Sequence, residues 1–119
     1  MREKFTTTSE LKVDESMSNT VLVNGPYMAL MQPDGNFVLY KDSQVLWSSK
    51  SGNTGMGPYA LSMLESGNLV IRDSTNNFIW STNTTNMGTG PYKLMLTPNG
   101  NLSIFDAKKN ILWSALSAD

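Results

Sequence analysis

Gln32, Asp34, Asn36 and Tyr40 set an amide, a carboxylate, a second amide and a phenol at alternate positions of one run, Gln32-Pro33-Asp34-Gly35-Asn36-Phe37-Val38-Leu39-Tyr40, with Val38 in the remaining slot. Together they offer donors and acceptors around a pair of methyl groups, which suits a ligand rich in hydroxyls such as a pyranose. Pro33 and Gly35 flank Asp34 with turn chemistry, so the chain is expected to reverse there, Gln32 ending one strand and Asn36 opening the next. Period-two alternation then sends Asn36, Val38 and Tyr40 to one face and Phe37 and Leu39 to the other. The same residues also read as an ordinary hairpin turn, so the weight of the site rests on what surrounds it.

What surrounds it is a repeat. Gly25-Pro26-Tyr27 returns as Gly57-Pro58-Tyr59 and Gly90-Pro91-Tyr92; Gly35-Asn36 returns as Gly67-Asn68 and Gly100-Asn101; and Leu46-Trp47-Ser48 returns as Ile79-Trp80-Ser81 and Leu112-Trp113-Ser114. Alternation keeps its phase in every copy. Ala29 and Met31 align with Leu61 and Met63 and with Leu94 and Leu96, and Phe37 and Leu39 align with Leu69 and Ile71 and with Leu102 and Ile104, which marks an inward face. Met28, Ala60 and Lys93, and Leu30, Ser62 and Met95, look outward.

The chain of 119 residues is long enough for one domain and too short for two well-packed ones. It divides into three units, about residues 25–56, 57–89 and 90–119, preceded by an N-terminal strand segment anchored by Phe5, Leu11, Val13 and Val21-Leu22-Val23. A unit of this size cannot bury its own apolar face, so the three are expected to pack about a pseudo-threefold axis with Trp47, Trp80 and Trp113 meeting near it. The Gly-Pro-Tyr triplets read as turn punctuation. Recurrent Gly, Pro, Asn and β-branched residues leave no place for a helix, and the fold class is all-β.

Composition excludes several kinds of function. With no histidine and no cysteine there is no Ser-His or Cys-His nucleophile pair, no thiolate metal site and no disulfide. Carboxylate neighbours such as Asp14 and Glu15, or Asp34 and Asp42, lack a nucleophile-base constellation, so an enzyme is not expected, nor is a cofactor or a metal. A net charge of −1, with no basic cluster longer than Lys108-Lys109, gives no footprint for nucleic acid. No apolar stretch is long enough for membrane insertion, and Met1 to Phe5 contain no leader-like apolar run. Asn83-Thr84-Thr85 and Asn101-Leu102-Ser103 have the form of glycosylation sequons.

With repeat and hairpin both in view, the sequence resembles the monocot mannose-binding, or bulb-type, lectins and their lily-type counterparts in animals. The family motif Q-x-D-x-N-x-V-x-Y is matched at all five positions by Gln32, Asp34, Asn36, Val38 and Tyr40. The resemblance implies the β-prism II fold, three four-stranded antiparallel sheets about a pseudo-threefold axis. It also implies calcium-independent binding of α-mannose in mannose-containing glycans or glycoproteins, with Gln32, Asp34, Asn36 and Tyr40 bonding ring hydroxyls and Val38 touching the carbon face of the sugar. A secreted setting goes with the family, although a cytoplasmic one fits the residues as well. The second copy reads Leu64, Ser66, Asn68, Val70, Arg72 and is expected to be dead; the third reads Thr97, Asn99, Asn101, Ser103, Phe105 and is expected to be weak or dead. The cysteine pair that plant members often carry falls here at Gly35 and Tyr59. One intact site cannot cross-link glycans, so a homodimer or larger assembly is expected, the family adding exchange of terminal strands as its route. The alternative is a protein-interaction module on the same fold, with outward methionines such as Met28, Met56, Met87 and Met95 as its contacts and reduced or no sugar binding.

Overall fold

Each run of alternating apolar residues becomes a strand, because only an extended chain places every second side chain on one buried face. A computed structural model of the protein describes residues 8–116 and the short strand Arg2–Glu3; Phe5 and the last residues of the third unit lie outside the described residues. In chain order the strands are β1 (Arg2–Glu3), β2 (Glu10–Lys12), β3 (Glu15–Met17), β4 (Val21–Asn24), β5 (Tyr27–Met31), β6 (Phe37–Lys41), β7 (Gln44–Ser48), β8 (Ala60–Met63), β9 (Leu69–Arg72), β10 (Phe78–Ser81), β11 (Lys93–Leu96), β12 (Leu102–Phe105) and β13 (Ile111–Ser114). No described residue is helical.

Three sheets result. The first has the order β4-β5-β6-β7, the second β3-β8-β9-β10 and the third β2-β11-β12-β13, each antiparallel throughout. β1 adds a short fifth strand, parallel to β3, at the edge of the second sheet. The N-terminal segment thus supplies the outer strand of every sheet, where the sequence pointed to one strand or more. Leu11, Met17 and Leu22, one from each of these outer strands, are fully buried and close the core from outside.

The anticipated inward positions Ala29, Met31, Phe37, Leu39, Leu61, Met63, Leu69, Ile71, Leu94, Leu96, Leu102 and Ile104 are all fully buried in one cluster. The three tryptophans meet, with ring centroids 5.5, 5.8 and 5.9 Å apart in edge-on pairs, and Phe37 stands edge-on to Trp47 at 6.1 Å. They are half-buried, so each contributes less than a fully enclosed indole, and each edge-on pair adds about 0.5–1.5 kcal/mol. Each tryptophan strand slips by one residue against its partner: Trp47 faces Leu39 while Val45 faces Tyr40, and the same shift occurs at Ile79 and Leu112. This β-bulge breaks strict alternation, so that the adjacent apolar residues Leu46 and Trp47, Ile79 and Trp80, and Leu112 and Trp113 all pack against the core.

The Gly-Pro-Tyr triplets do more than punctuate. A Cβ at Gly35 would lie 3.1 Å from the ring of Tyr59, one at Gly67 would lie 2.9 Å from the ring of Tyr92, and one at Gly100 would press into the ring of Tyr27. Each tyrosine therefore lies on the turn glycine of another unit, and the three contacts close a ring around the prism. The glycines have φ of +97°, +94° and +89°, a backbone region that side chains disfavour, so both the turn and the neighbouring ring require glycine. Where the resemblance puts a cysteine pair, Gly35 and Tyr59 are joined by packing instead.

Candidate functional site

The hairpin between β5 and β6 is built by its own turn. Gln32 N–H donates to Asn36 O at 2.8 Å and Gly35 N–H to Gln32 O at 3.2 Å, while Asp34 Oδ1 accepts from Asn36 N–H at 2.9 Å. The strands end one residue short of the sequence reading, at Met31 and Phe37, because Gln32 and Asn36 bond to each other across the turn. All five motif residues lie on this one hairpin. Asp34 is exposed, Gln32, Asn36 and Tyr40 are half-buried, and Val38 is 4% exposed at the floor between them.

Within the group, Gln32 Nε2 donates to the Tyr40 hydroxyl at 2.8 Å. That bond bridges the two ends of the motif and leaves the Gln32 carbonyl and the Tyr40 O–H hydrogen for other partners. Asn36 is held from behind by the loop after β7: its Oδ1 accepts from Ser51 N–H at 2.9 Å, from Gly52 N–H at 3.0 Å and from the Ser48 hydroxyl at 3.4 Å. With Oδ1 engaged this way, the amide orientation is fixed, and Nδ2 has no partner among the described residues. The Asp34 backbone carbonyl accepts from Asn53 N–H at 2.7 Å, while its carboxylate accepts only from Asn36 N–H among the described residues and so keeps acceptor capacity.

Ser48, Ser51 and Gly52 were not identified from the sequence. A signal was present: Ser49-Lys50-Ser51 recurs as Thr82-Asn83-Thr84, and in both units the two hydroxyls pair, at 2.6 and 2.8 Å, while the second donates to the turn glycine carbonyl, Gly35 or Gly67. Asn68 is held in the same way by Thr84 N–H at 3.2 Å and the Thr82 hydroxyl at 3.4 Å. The asparagine persists in a copy that has lost most of the motif because it also anchors a loop.

The degenerate copies present different surfaces. In the second sheet Arg72 replaces the tyrosine, and its guanidinium donates to Ser62 Oγ at 3.1 Å. Ser62, assigned outward from the sequence, does face outward but is fully buried, as is Val70, so the position equivalent to the floor of the first hairpin is covered. In the third sheet the Thr97 hydroxyl donates to Asn99 Oδ1 at 2.5 Å and accepts from Asn101 N–H at 3.1 Å, Ser103 pairs with Ser114 at 2.7 Å, and Asn99 and Asn101 are exposed.

Two further carboxylates do structural work. Asp73 is buried in the β9–β10 turn, and its pKa is held below the ordinary carboxylate range first by the Thr75 hydroxyl, burial opposing this and the N–H groups of Asn77, Thr75 and Met56 reinforcing it. For Asp106 in the β12–β13 turn, burial is the largest single influence and works against ionisation. It is outweighed by bonds from Asn110, through backbone and side chain, and from the Thr89 and Lys108 N–H groups, so the pKa is again lowered. Among the described residues no three carboxylates gather as a metal site. Two surface depressions, of about 540 and 560 Å³, are lined by none of the five motif residues: one is at the mouth of the tryptophan cluster and includes Ser48 and Ser49, which bond to Asn36 and Phe37, and one is beside Lys12, Lys93 and Lys109. Met56 and Met87 are exposed, Met28 and Met95 half-buried.

Three antiparallel sheets closed on a tryptophan centre are the β-prism II architecture, and solved structures that share it with this chain include mannose-binding lectins. The crystal structure of a monomeric monocot mannose-binding lectin from Gastrodia elata is 32% identical, covers 90% of this chain and 96% of its own, and superposes with a TM-score of 0.83. The lectin of Polygonatum cyrtonema, solved with a monomannoside, is 34% identical over 92% of this chain and 97% of its own, with a TM-score of 0.75. By sequence, the mannose-specific lectin of Aloe arborescens is 39% identical over 59 residues, 49% of this chain and 52% of that protein. The chain spans about half or less of the length of the curated relatives it matches. No family model matches it. On the identity and coverage shared with these structures, the chain belongs to the monocot mannose-binding, bulb-type lectin family. That family consists of carbohydrate-binding proteins and not of enzymes.

Proposed function

We propose that the chain binds α-mannose, or mannose-rich glycans, without calcium, through Gln32, Asp34, Asn36, Val38 and Tyr40 on the first sheet. The observation that carries this reading is the engagement of Asn36: its side-chain carbonyl is spent on the Ser51 and Gly52 N–H groups, so its amide N–H₂ stays without a partner among the described residues, on the same hairpin as the Asp34 carboxylate, the Gln32 side-chain carbonyl, the Tyr40 hydroxyl and the apolar Val38. A hexose needs that combination, donors and acceptors for adjacent hydroxyls and an apolar contact for its carbon face. Asp34 contributes most, since charge-assisted bonds are roughly twice as strong as neutral ones. Four or five bonds at a net ~0.5–1.5 kcal/mol each, set against the cost of immobilising the sugar, give millimolar-order affinity for one monosaccharide. Useful avidity then comes from assembly, and a homodimer is part of the same proposal.

Retention on immobilised mannose tests the site. Asp34→Ala should abolish retention while lowering Tm by no more than a few degrees, since the residue is exposed and gives up one turn bond. EDTA should leave retention of the parent protein intact. Undiminished retention of Asp34→Ala would remove this hairpin from the account, and loss on chelation would remove calcium independence.

A further inference from the structure

The first sheet differs from the other two in what flanks its hairpin. In register, Val38 faces Leu30, which faces Val21; Tyr40 faces Met28, which faces Val23. Residues directly opposite one another project to the same side, and alternation with the buried Leu22, Ala29 and Leu39 makes that side the outer one. Val23 is exposed and Val21, Met28 and Leu30 are half-buried. With strands about 4.8 Å apart, these four side chains form an apolar shelf that starts at Val38 and Tyr40 and extends about 10 Å across the sheet.

The sister sheets are internal controls. At the same register the third sheet carries Lys12 opposite Lys93 and Glu10 opposite Met95, with Glu10 ion-paired to Lys93 at 3.3 Å and to Lys12 at 3.7 Å. The second carries Ser16 opposite Ser62, and Ala60 where Met28 stands. The core and the turns therefore tolerate polar and charged residues at these positions. The apolar set accompanies the copy with the whole motif and neither degenerate copy.

We propose that this shelf is an aglycone subsite, taking an apolar alkyl or aryl group attached to a mannoside whose hexose sits on the neighbouring motif. The inference rests on the sugar-binding reading of that motif. A hexose alone covers only the polar hairpin; a linked apolar group would reach the adjoining rows and remove them from water. Because the monosaccharide is held weakly, even partial burial of such a group shifts affinity measurably.

Calorimetric titration of the full chain with methyl, hexyl and phenyl α-mannosides tests it, beside the double variant Val23→Ser with Met28→Ala. Hexyl mannoside should bind the parent about tenfold tighter than methyl mannoside, and the advantage should fall below about twofold in the double variant, whose affinity for methyl mannoside stays unchanged. Equal affinities for methyl and hexyl mannoside in the parent, or an advantage that survives the double variant, would overturn the proposal while leaving the sugar site standing. If no mannoside binds, the sugar site falls and the shelf with it. Sedimentation of the same proteins covers the other occupant: a parent dimer that the double variant dissociates, with no hexyl advantage, would make the shelf a contact between two copies and refute the subsite.

Discussion

Replacing Asn36 in two ways separates its two duties. Its Oδ1 accepts from the Ser51 and Gly52 N–H groups at 2.9 and 3.0 Å, and its Nδ2 has no partner among the described residues. Asn36→Asp keeps an acceptor for both N–H groups and removes the donor; Asn36→Ala removes both. An N–H deprived of its acceptor costs about 1–3 kcal/mol where water cannot reach it, less where it can. Both groups are partly buried, so Ala should cost about 2–4 kcal/mol, which for a domain of this size lowers Tm on the order of 10 °C. Asp should cost less than about 1 kcal/mol, the strengthened bonds to the loop offsetting the exposed neighbouring charge of Asp34. On mannose, however, Asp should be about tenfold weaker or worse, since a hydroxyl that accepted from the amide now faces a second carboxylate. The assay is thermal melting beside calorimetric titration with methyl α-mannoside. Equal losses of Tm in both variants would show that Oδ1 does not anchor the loop, and parent-like affinity in Asn36→Asp would show that the amide N–H₂ does not meet the sugar.

Two other outcomes follow from the prism itself. Gly67→Ala should lower Tm by several degrees, because the residue sits at φ +94° and the added methyl meets the Tyr92 ring at 2.9 Å; Tyr92→Ala placed on top should recover none of the backbone strain, so a double variant as stable as Tyr92→Ala alone would contradict this account. Asp73 and Asp106 both have lowered folded-state pKa values, so the stability they confer is complete above the ordinary carboxylate pKa and disappears as pH falls through their folded values. Tm measured as the pH is lowered through and below the ordinary carboxylate range should fall more steeply for the parent than for Asp73→Asn with Asp106→Asn, and parallel curves would exclude these carboxylates as the acid-sensitive groups.

The sequence by itself determined the threefold repeat, the inward face of every repeat strand, the meeting of the tryptophans and the position of the five-residue motif. These follow from periodicity, which is a local property: residues two apart share a face whatever the rest of the chain does, and a unit with one apolar face must find others. Tertiary structure alone decided how Gly35, Gly67 and Gly100 are used, since their turn role is visible locally but the tyrosine ring that lies on each comes from another unit. It also decided the bulges that bring Leu46, Ile79 and Leu112 inward against alternation, the capture of Asn36 by Ser51 and Gly52, and the covering of Ser62 by Arg72. In each of these a group is fixed by a partner remote in sequence or by a slip in register, and neither leaves a mark in local spacing. Whether a polar side chain on the hairpin is free or already engaged depends on such partners, and that is why the motif could be found before folding but its available atoms could not.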